Sequence, residues 1–81
     1  MSPSGNAGGL RNRVRERRTA GGLTQDDLAQ SAGLTRQSII AIEKGRFTPS
    51  IATALALAAA LGTTVDELFW LDEENDLQGK R

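Results

Sequence analysis

The sequence predicts an all-α fold, a compact bundle of five short helices in one small domain. Ala and Leu are strong helix formers and number 11 and 10 among the 81 residues, whereas Ile and Val together number only six. A hydroxyl residue stands before each of the last four apolar runs, where it can cap a helix, and glycine follows the first four. The segments between these signals are too short to leave room for strands.

The first two helices are predicted from apolar spacing and capping residues. Leu10 and Val14 stand four residues apart within a charged stretch, which predicts a helix over residues 10–20 that ends at a glycine pair. Thr24 and Asp27 resemble a capping box at the start of the second helix. The expected buried face of this second helix consists of Leu28, Ala29 and Ala32, and Gly33 ends it.

Three further helices follow the same logic. Thr35 caps the third, which runs to Lys44, and its expected inward residues are Ile39 and Ile42. Ser50 caps the fourth, Ile51 to Leu61, which is apolar nearly all round and should therefore lie centrally. Thr64 and Glu67 form a T-x-x-E pattern that predicts a capping box for the fifth, Val65 to about Leu71.

The domain organisation follows from composition at the two ends. Residues 1–9 are rich in Gly, Ser and Pro and are predicted to form a flexible arm. Residues 10–71 carry the helical pattern and form the predicted domain. Residues 72–81 are expected to form an acidic flexible tail.

Composition also excludes whole classes of function. The chain has no His and no Cys, so a Ser–His or Cys–His catalytic pair, a disulfide framework and a Cys-based metal site are impossible. No phosphate-binding glycine loop occurs, and no cofactor or metal is expected. There is neither a run of about 18 apolar residues nor a visible secretion signal, so we expect a cytoplasmic protein without membrane contact.

The informative stretch is residues 24–44, where two short helices meet at Gly33. So short a link forces a steep crossing, which is a helix-turn-helix, and it projects the start of the second helix away from the core. That start reads Thr35-Arg36-Gln37-Ser38. Arg can bond bidentately to guanine and Gln to adenine, so these side chains suit a reader of the DNA major groove.

The same stretch resembles a known family. The segments that carry the likeness are Leu23-Thr24-Gln25-Asp26-Asp27-Leu28-Ala29, Ser31 to Ile39, Ile42-Glu43-Lys44-Gly45 and Pro49-Ser50. Together they look like the Cro/repressor family of helix-turn-helix regulators, the xenobiotic-response-element type, and most like its short stand-alone bacterial members. The resemblance spans residues 12–71 and implies a lambda-repressor-like DNA-binding domain that acts as a homodimer on double-stranded DNA.

The resemblance also implies roles for individual residues. Arg36 and Gln37 match the leading base readers, and Ala41 lies one turn on, where it could only touch a thymine methyl. The positions that match phosphate contacts are Gln25, Thr35, Ser38, Lys44, Arg46 and Thr48. Arg18 and Glu43 match a partly buried pair that ties the first helix to the third.

One departure from the family pattern concerns the first helix. Arg17 stands where the family usually has a Leu packed into the core, so its stem is expected to lie along apolar surface with its head in water. The neighbouring cations Arg11, Arg13 and Arg15 are expected to form a solvated basic face, with one or two of them near phosphate.

The C-terminal end of the domain is the predicted dimer contact. Relatives dimerise through this end, and Phe69, Trp70 and Leu71 are its apolar residues. Trp is enriched at interface hot spots. The alternative for Trp70 is that it is a lone exposed aromatic residue. The alanine stripe of the fourth helix, Ala52, Ala56 and Ala59, either contributes to the dimer contact or merely reflects an alanine-rich composition.

The net charge of zero conceals a dipole along the chain. Residues 1–48 carry eight basic and four acidic side chains, a net charge of +4, whereas residues 49–81 carry two basic and six acidic ones, a net charge of −4. The basic half contains the predicted reading helix. Such an arrangement can orient a protein on a polyanion while it limits nonspecific affinity.

The leading hypothesis is a sequence-specific transcriptional regulator, with repression as the expected activity, that binds a palindromic operator through the major groove. The alternative is an antitoxin or adaptor that binds a protein partner through its C-terminal helix. An enzyme is not expected, because no His is present and no carboxylates are paired across a recognisable cleft.

Overall fold

The computed structural model describes residues 9–72. The predicted arm and tail lie outside the described residues, apart from Gly9 and Asp72. The elements in chain order are β1 (Leu10–Asn12), α1 (Val14–Ala20), α2 (Gln25–Ala32), α3 (Arg36–Glu43), α4 (Ile51–Leu61), α5 (Val65–Leu68) and β2 (Phe69–Leu71). The predicted bundle of five short helices is confirmed.

Three of the predicted helix starts are fixed by the expected side chains. The hydroxyl oxygens of Thr24, Thr35 and Ser50 each accept a hydrogen bond from the backbone N–H three residues on, at 3.0–3.1 Å. At Thr24 the exchange is reciprocal, because the Asp27 carboxylate accepts from the Thr24 N–H at 2.9 Å. These bonds satisfy amide groups that have no partner within their own helix.

The expectation that no strands form is wrong. Strands β1 and β2 pair in an antiparallel ladder in which Leu10 lies opposite Leu71 and Asn12 lies opposite Phe69. The first helix consequently begins at Val14 and not at Leu10. The spacing of Leu10 and Val14 satisfies a helical period, but Leu10 instead packs against the core from the strand.

The fifth helix is shorter than predicted and starts differently. It ends at Leu68, because Phe69 is already in extended conformation, and Thr64 makes no side-chain capping bond. The Glu67 carboxylate is engaged elsewhere, with Arg17 at 3.3 Å and the hydroxyl of Thr63 at 3.4 Å. The predicted capping box is therefore wrong, since its acid is drawn to partners outside the helix start.

The core gathers one apolar face from nearly every element. Helix α2 packs against both α3 and α4, and α1 contacts α3 and α4 as well. Helix α5 packs against α4 and leads into the strand pair, which closes one end of the core. The buried side chains are Val14, Leu28, Ala29, Ile39, Ile42, Ala54, Leu57, Ala58, Leu68 and Phe69. Arg17 stays at the surface in its ion pair with Glu67, so the charge at a usually apolar position does not enter the core.

The capping box of α2 makes stability depend on pH. The backbone N–H of Thr24, and then its side chain, lower the pKa of the Asp27 carboxyl. A lowered folded-state pKa contributes stability above the ordinary carboxyl range, and this contribution is lost as the pH falls through the lowered value. We expect Asp27→Ala to lower the thermal midpoint at neutral pH and to flatten its acid dependence, as followed by circular dichroism.

Asp26 provides the matched control for that experiment. It is a neighbouring exposed carboxylate in the same first turn, but it makes none of the capping bonds. Asp26→Ala should therefore leave most of the acid dependence in place. If the two substitutions flatten the acid dependence equally, repulsion among acidic side chains, and not the capping box, determines how stability depends on pH.

Candidate nucleic-acid interface

Helices α2 and α3 form the predicted helix-turn-helix. Gly33 ends α2 in the left-handed conformation, with φ at +72°, and the N–H of Leu34 donates to the carbonyl of Ala29 at 2.8 Å. A side chain with a Cβ would be strained at that φ, so the turn depends on glycine. The buried Leu28, Ile39 and Ile42 hold the two helices against α4 and leave the start of α3 at the surface.

The start of α3 presents the predicted reading residues. Arg36 and Gln37 lie in its first turn, both are exposed, and neither side chain makes a hydrogen bond or ion pair to residues 9–72. Arg36 also lines a shallow concavity of about 460 Å³ with Thr24 and Gln25 at the start of α2. Ala41, one turn on, is half-buried. The guanidinium and amide groups of the first turn are thus free to bond to an external partner.

The predicted phosphate-binding residues fall into two groups. Lys44, Arg46 and Thr48 are exposed at and beyond the end of α3. Thr35 and Ser38 are hydrogen-bonded to each other, because the Thr35 hydroxyl donates to the Ser38 hydroxyl at 3.0 Å while it accepts from the Ser38 N–H. The hydroxyl of Ser38 retains its own proton for a further acceptor.

Gln25 connects the start of α2 to the end of α3. Its side-chain Nε2 donates to Oε1 of Glu43 at 3.2 Å, and the residue is half-buried. One Nε2 proton is used in this bond, and an amide group carries a second. Gln25 is therefore held against α3 while it keeps a donor for an external acceptor.

An ion pair fixes α3 relative to α1. Nε of Arg18 lies 2.7 Å from Oε2 of Glu43 and its Nη2 lies 3.3 Å from Oε1, a bidentate arrangement. The two side chains are only 11% and 5% exposed. Nη1 of Arg18 additionally donates to the carbonyl of Leu23, just before α2, at 2.9 Å. Three helices thus meet at one buried carboxylate.

Comparison with known proteins identifies the family. The helix-turn-helix family HTH_3 matches residues 14–68, more than half of the chain. The chain belongs to this family. Its members are transcriptional regulators of the Cro/repressor type, and the chain is a DNA-binding helix-turn-helix regulator.

Individual relatives agree with that assignment. The regulator is 48% identical to an uncharacterized HTH-type transcriptional regulator of Methanothermobacter thermautotrophicus over 80% of this chain and 96% of the relative. It is 41% identical to YgzD, an uncharacterized HTH-type transcriptional regulator of Bacillus subtilis, over 82% of this chain and all of the relative.

Solved structures show the same fold. The restriction-modification controller protein C.AhdI of Aeromonas hydrophila superposes with a TM-score of 0.66 and 42% identity, over 68% of this chain and 83% of that one. The DNA-binding domain of the P22 C2 repressor superposes with a TM-score of 0.65 and 30% identity, over 67% and 71% of the two chains.

The structure adds Arg15 to the residues near α3 of the regulator. Arg15 is exposed and lines a concavity of about 260 Å³ together with Gln25 and Lys44. From the sequence alone, Arg15 is expected only to belong to a general basic face. Its spacing of three residues from Arg18 on one helix was the available signal, because residues three apart share a helix face.

Pairing within the chain sorts the basic residues of the regulator. Arg11 lies 3.6 Å from Asp72, Arg17 pairs with Glu67, and the Arg13 guanidinium lies 4.6 Å from the centre of the Trp70 ring. Together with Arg18, these four cations already have partners. The basic residues with neither an ion pair nor an aromatic-ring contact among the described residues are Arg15, Arg36, Lys44 and Arg46.

Residues 9–72, the part of the chain that the structure describes, hold neither a metal-binding cluster nor a membrane-spanning helix. No group of three or more Asp or Glu side chains is placed to hold a metal ion there. None of the helices in that range is both long and apolar enough to cross a membrane.

The buried ion pair gives a prediction about stability. Glu43→Ala leaves the Arg18 guanidinium buried without a counter-charge and removes a hydrogen-bond acceptor of Gln25. We expect it to lower the free energy of unfolding by about 3–5 kcal/mol, as measured by urea denaturation. The matched control is Glu67→Ala, which breaks an exposed pair with Arg17 and should cost about 0–1 kcal/mol. Similar losses of stability in both variants would mean that the buried Arg18–Glu43 pair contributes no more to the free energy of unfolding than the exposed Arg17–Glu67 pair.

Proposed function

We propose that the regulator is a homodimeric repressor that binds a palindromic operator through the major groove. The observation that carries this proposal is the first turn of α3, where Arg36 and Gln37 are exposed and unbonded on a helix anchored by buried Ile39 and Ile42. Base-reading side chains must be held in register to discriminate bases. An anchored helix with a free polar first turn meets that requirement.

Phosphate contacts would flank the reading turn on both sides. Ser38 keeps a donor near the start of α3, and Gln25 keeps one beside Glu43 at its end, where Lys44, Arg46 and Arg15 supply charge. Contacts of this kind set affinity and position on the duplex but carry no sequence information. Arg36 and Gln37 would therefore supply the discrimination, and the flanking cations would supply most of the salt-dependent affinity.

A second copy of the chain would cover the exposed apolar residues. Within residues 9–72, Phe69 is buried in the monomer core, but Trp70 and Leu71 remain exposed on β2. Ile51 and Leu55 on α4 are also exposed, with Phe47 just before that helix. Helix α4 contains no charged residue, so two copies can face each other there without repulsion between like charges. We propose that α4 and β2 together form the homodimer contact.

A dimer with a two-fold axis addresses two half-sites of inverted sequence. In helix-turn-helix dimers the two reading helices enter successive major grooves about 34 Å apart, one turn of the duplex. Occupancy of a promoter by such a dimer excludes other proteins from the same stretch of DNA, which supports a repressor role. We place this activity in the cytoplasm, where a prokaryotic chromosome lies.

The assigned roles predict different effects of two substitutions on DNA binding. Arg36→Ala removes a bidentate base contact and should cost about 1–3 kcal/mol on the preferred site while it relaxes the preference at one base pair. Lys44→Ala should weaken binding to all sequences alike and reduce the slope of log affinity against log salt by about one. Selection of bound sites from random DNA, followed by fluorescence anisotropy at several salt concentrations, measures both.

The outcome that contradicts this assignment is specific. If Arg36→Ala binds the selected site as wild type does, with unchanged base preference, α3 is not the reading helix. Failure of the wild-type protein to enrich any sequence would refute the proposed function as a whole.

The dimer proposal predicts the effect of polar substitutions. Ile51→Ser and Leu71→Ser should each shift the protein toward monomer at micromolar concentration in analytical ultracentrifugation, because each places a hydroxyl in an apolar contact. Ala20→Ser changes an exposed residue at the end of α1 and serves as the control. A dimer that survives both substitutions contradicts the proposed contact. A monomer that co-purifies with a second protein would favour the antitoxin or adaptor alternative.

A further inference from the structure

Asn12 makes two hydrogen bonds that join distant parts of the chain. It is the last residue of β1, lies opposite Phe69 in the strand pair, and is half-buried. Its Oδ1 accepts from the N–H of Val14 at 3.0 Å, and its Nδ2 donates to the carbonyl of Ile42 at 3.0 Å. The second bond spans 30 residues and reaches the last turn of the reading helix.

The first of these bonds is local and serves the fold. An Asn side chain that accepts from the N–H two residues on forms an Asx-turn, which suits the change from strand to helix. Val14 is the first residue of α1, so this bond satisfies one of its otherwise unpaired amides. Any side chain with an acceptor at the same place could substitute for Asn12 in this role.

The second bond needs the amide donor and acts on the end of α3. The Ile42 carbonyl also accepts from the N–H of Gly45 at 3.0 Å, and the N–H of Arg46 reaches the carbonyl of Ala41 at 2.9 Å. With Gly45 at a φ of +75°, these bonds make the turn that leads from α3 to Lys44 and Arg46. Both lone pairs of the Ile42 carbonyl are thus used, one by the turn and one by Asn12.

We infer that Asn12 is a positioning residue for the phosphate contacts of Lys44 and Arg46. It anchors the turn at the end of α3 to the strand pair, so that these two cations are held in place before DNA arrives. This inference rests on the proposed function, because it assumes that the two cations contact phosphate. Asn12 itself makes no contact with DNA in this role.

Two substitutions separate the anchoring bond from the local one. Asn12→Asp keeps an acceptor for the Val14 N–H, and its negative charge suits the start of a helix, but it cannot donate to Ile42. Asn12→Ser keeps a weaker local acceptor without adding charge, and its side chain is too short to reproduce the bond to Ile42. Each variant should weaken binding to the selected site about three- to tenfold.

The readout specific to positioning is the salt slope. Both variants should reduce the slope of log affinity against log salt by about one, the equivalent of one phosphate contact, while the base preference stays that of wild type. A purely structural role for Asn12 would lower the folded fraction but leave the slope of the folded protein unchanged. Gln30→Glu, which adds the same charge on an exposed position of α2, controls for long-range repulsion.

Spectra of the DNA-free protein provide an independent test of whether Asn12 anchors the turn. In nuclear magnetic resonance spectra, the backbone amide signals of Gly45 and Arg46 should shift in Asn12→Asp and Asn12→Ser, and Gln30→Glu should leave them unmoved. Wild-type salt slopes in both Asn12 variants overturn the inference, as does a loss of affinity with an unchanged slope. If wild type binds no DNA sequence, the proposed function fails, and the amide shifts alone still decide whether Asn12 anchors the turn.

Discussion

The buried carboxylate of Glu43 is the point on which the arrangement of the first three helices depends. It receives the guanidinium of Arg18 from α1 and the amide of Gln25 from α2, and Arg18 also bonds to the chain just before α2. Apolar packing alone would allow α3 to slide or rotate on its neighbours, because hydrophobic contacts are not directional. Charged hydrogen bonds of fixed geometry permit far fewer orientations.

This interaction uses charge at one end of α3 and leaves charge free elsewhere. Arg18 is paired with Glu43 and fixes the orientation of α3. Arg11 is paired with Asp72 and Arg17 with Glu67, and Arg13 lies against the ring of Trp70. All three of these partners belong to residues 49–81, the acidic half of the sequence, and the carboxylates of Asp72 and Glu67 neutralise two of the cations. The cations left for a polyanion are those around α3, which explains how a chain of zero net charge still presents a basic surface.

The parts of the fold that the sequence predicts well are local. Thr24, Thr35 and Ser50 cap helices through bonds that span three residues, and Gly33 ends α2 through its own backbone, so neighbouring residues are enough to specify each feature. The reading turn belongs to the same class, since its place follows from the cap and the turn before it. Within the candidate site, the residues of α3 were therefore identifiable without the structure.

The features that sequence reasoning misses depend on contacts between distant residues. Strands β1 and β2 are separated by most of the chain, and three residues of each are too few to show an alternating pattern, so Leu10 and Val14 read as one helix. Glu67 looked like a capping acid, but Arg17 is 50 residues away in sequence and 3.3 Å away in space.

The strand pair determines which apolar residues at the C-terminal end of the domain are buried and which are exposed. In an extended strand Phe69 and Leu71 project to one face and Trp70 to the other. Phe69 is buried in the core, whereas Leu71, in the last pair of the ladder, is exposed. The same ladder holds Asn12 opposite Phe69, and the side chain of Asn12 bonds to the carbonyl of Ile42 near the end of α3. The exposed apolar end of the molecule and the end of the reading helix are consequently parts of one hydrogen-bonded unit. A partner that docks on β2 would therefore meet a surface whose geometry relative to the turn that carries Lys44 and Arg46 is already set.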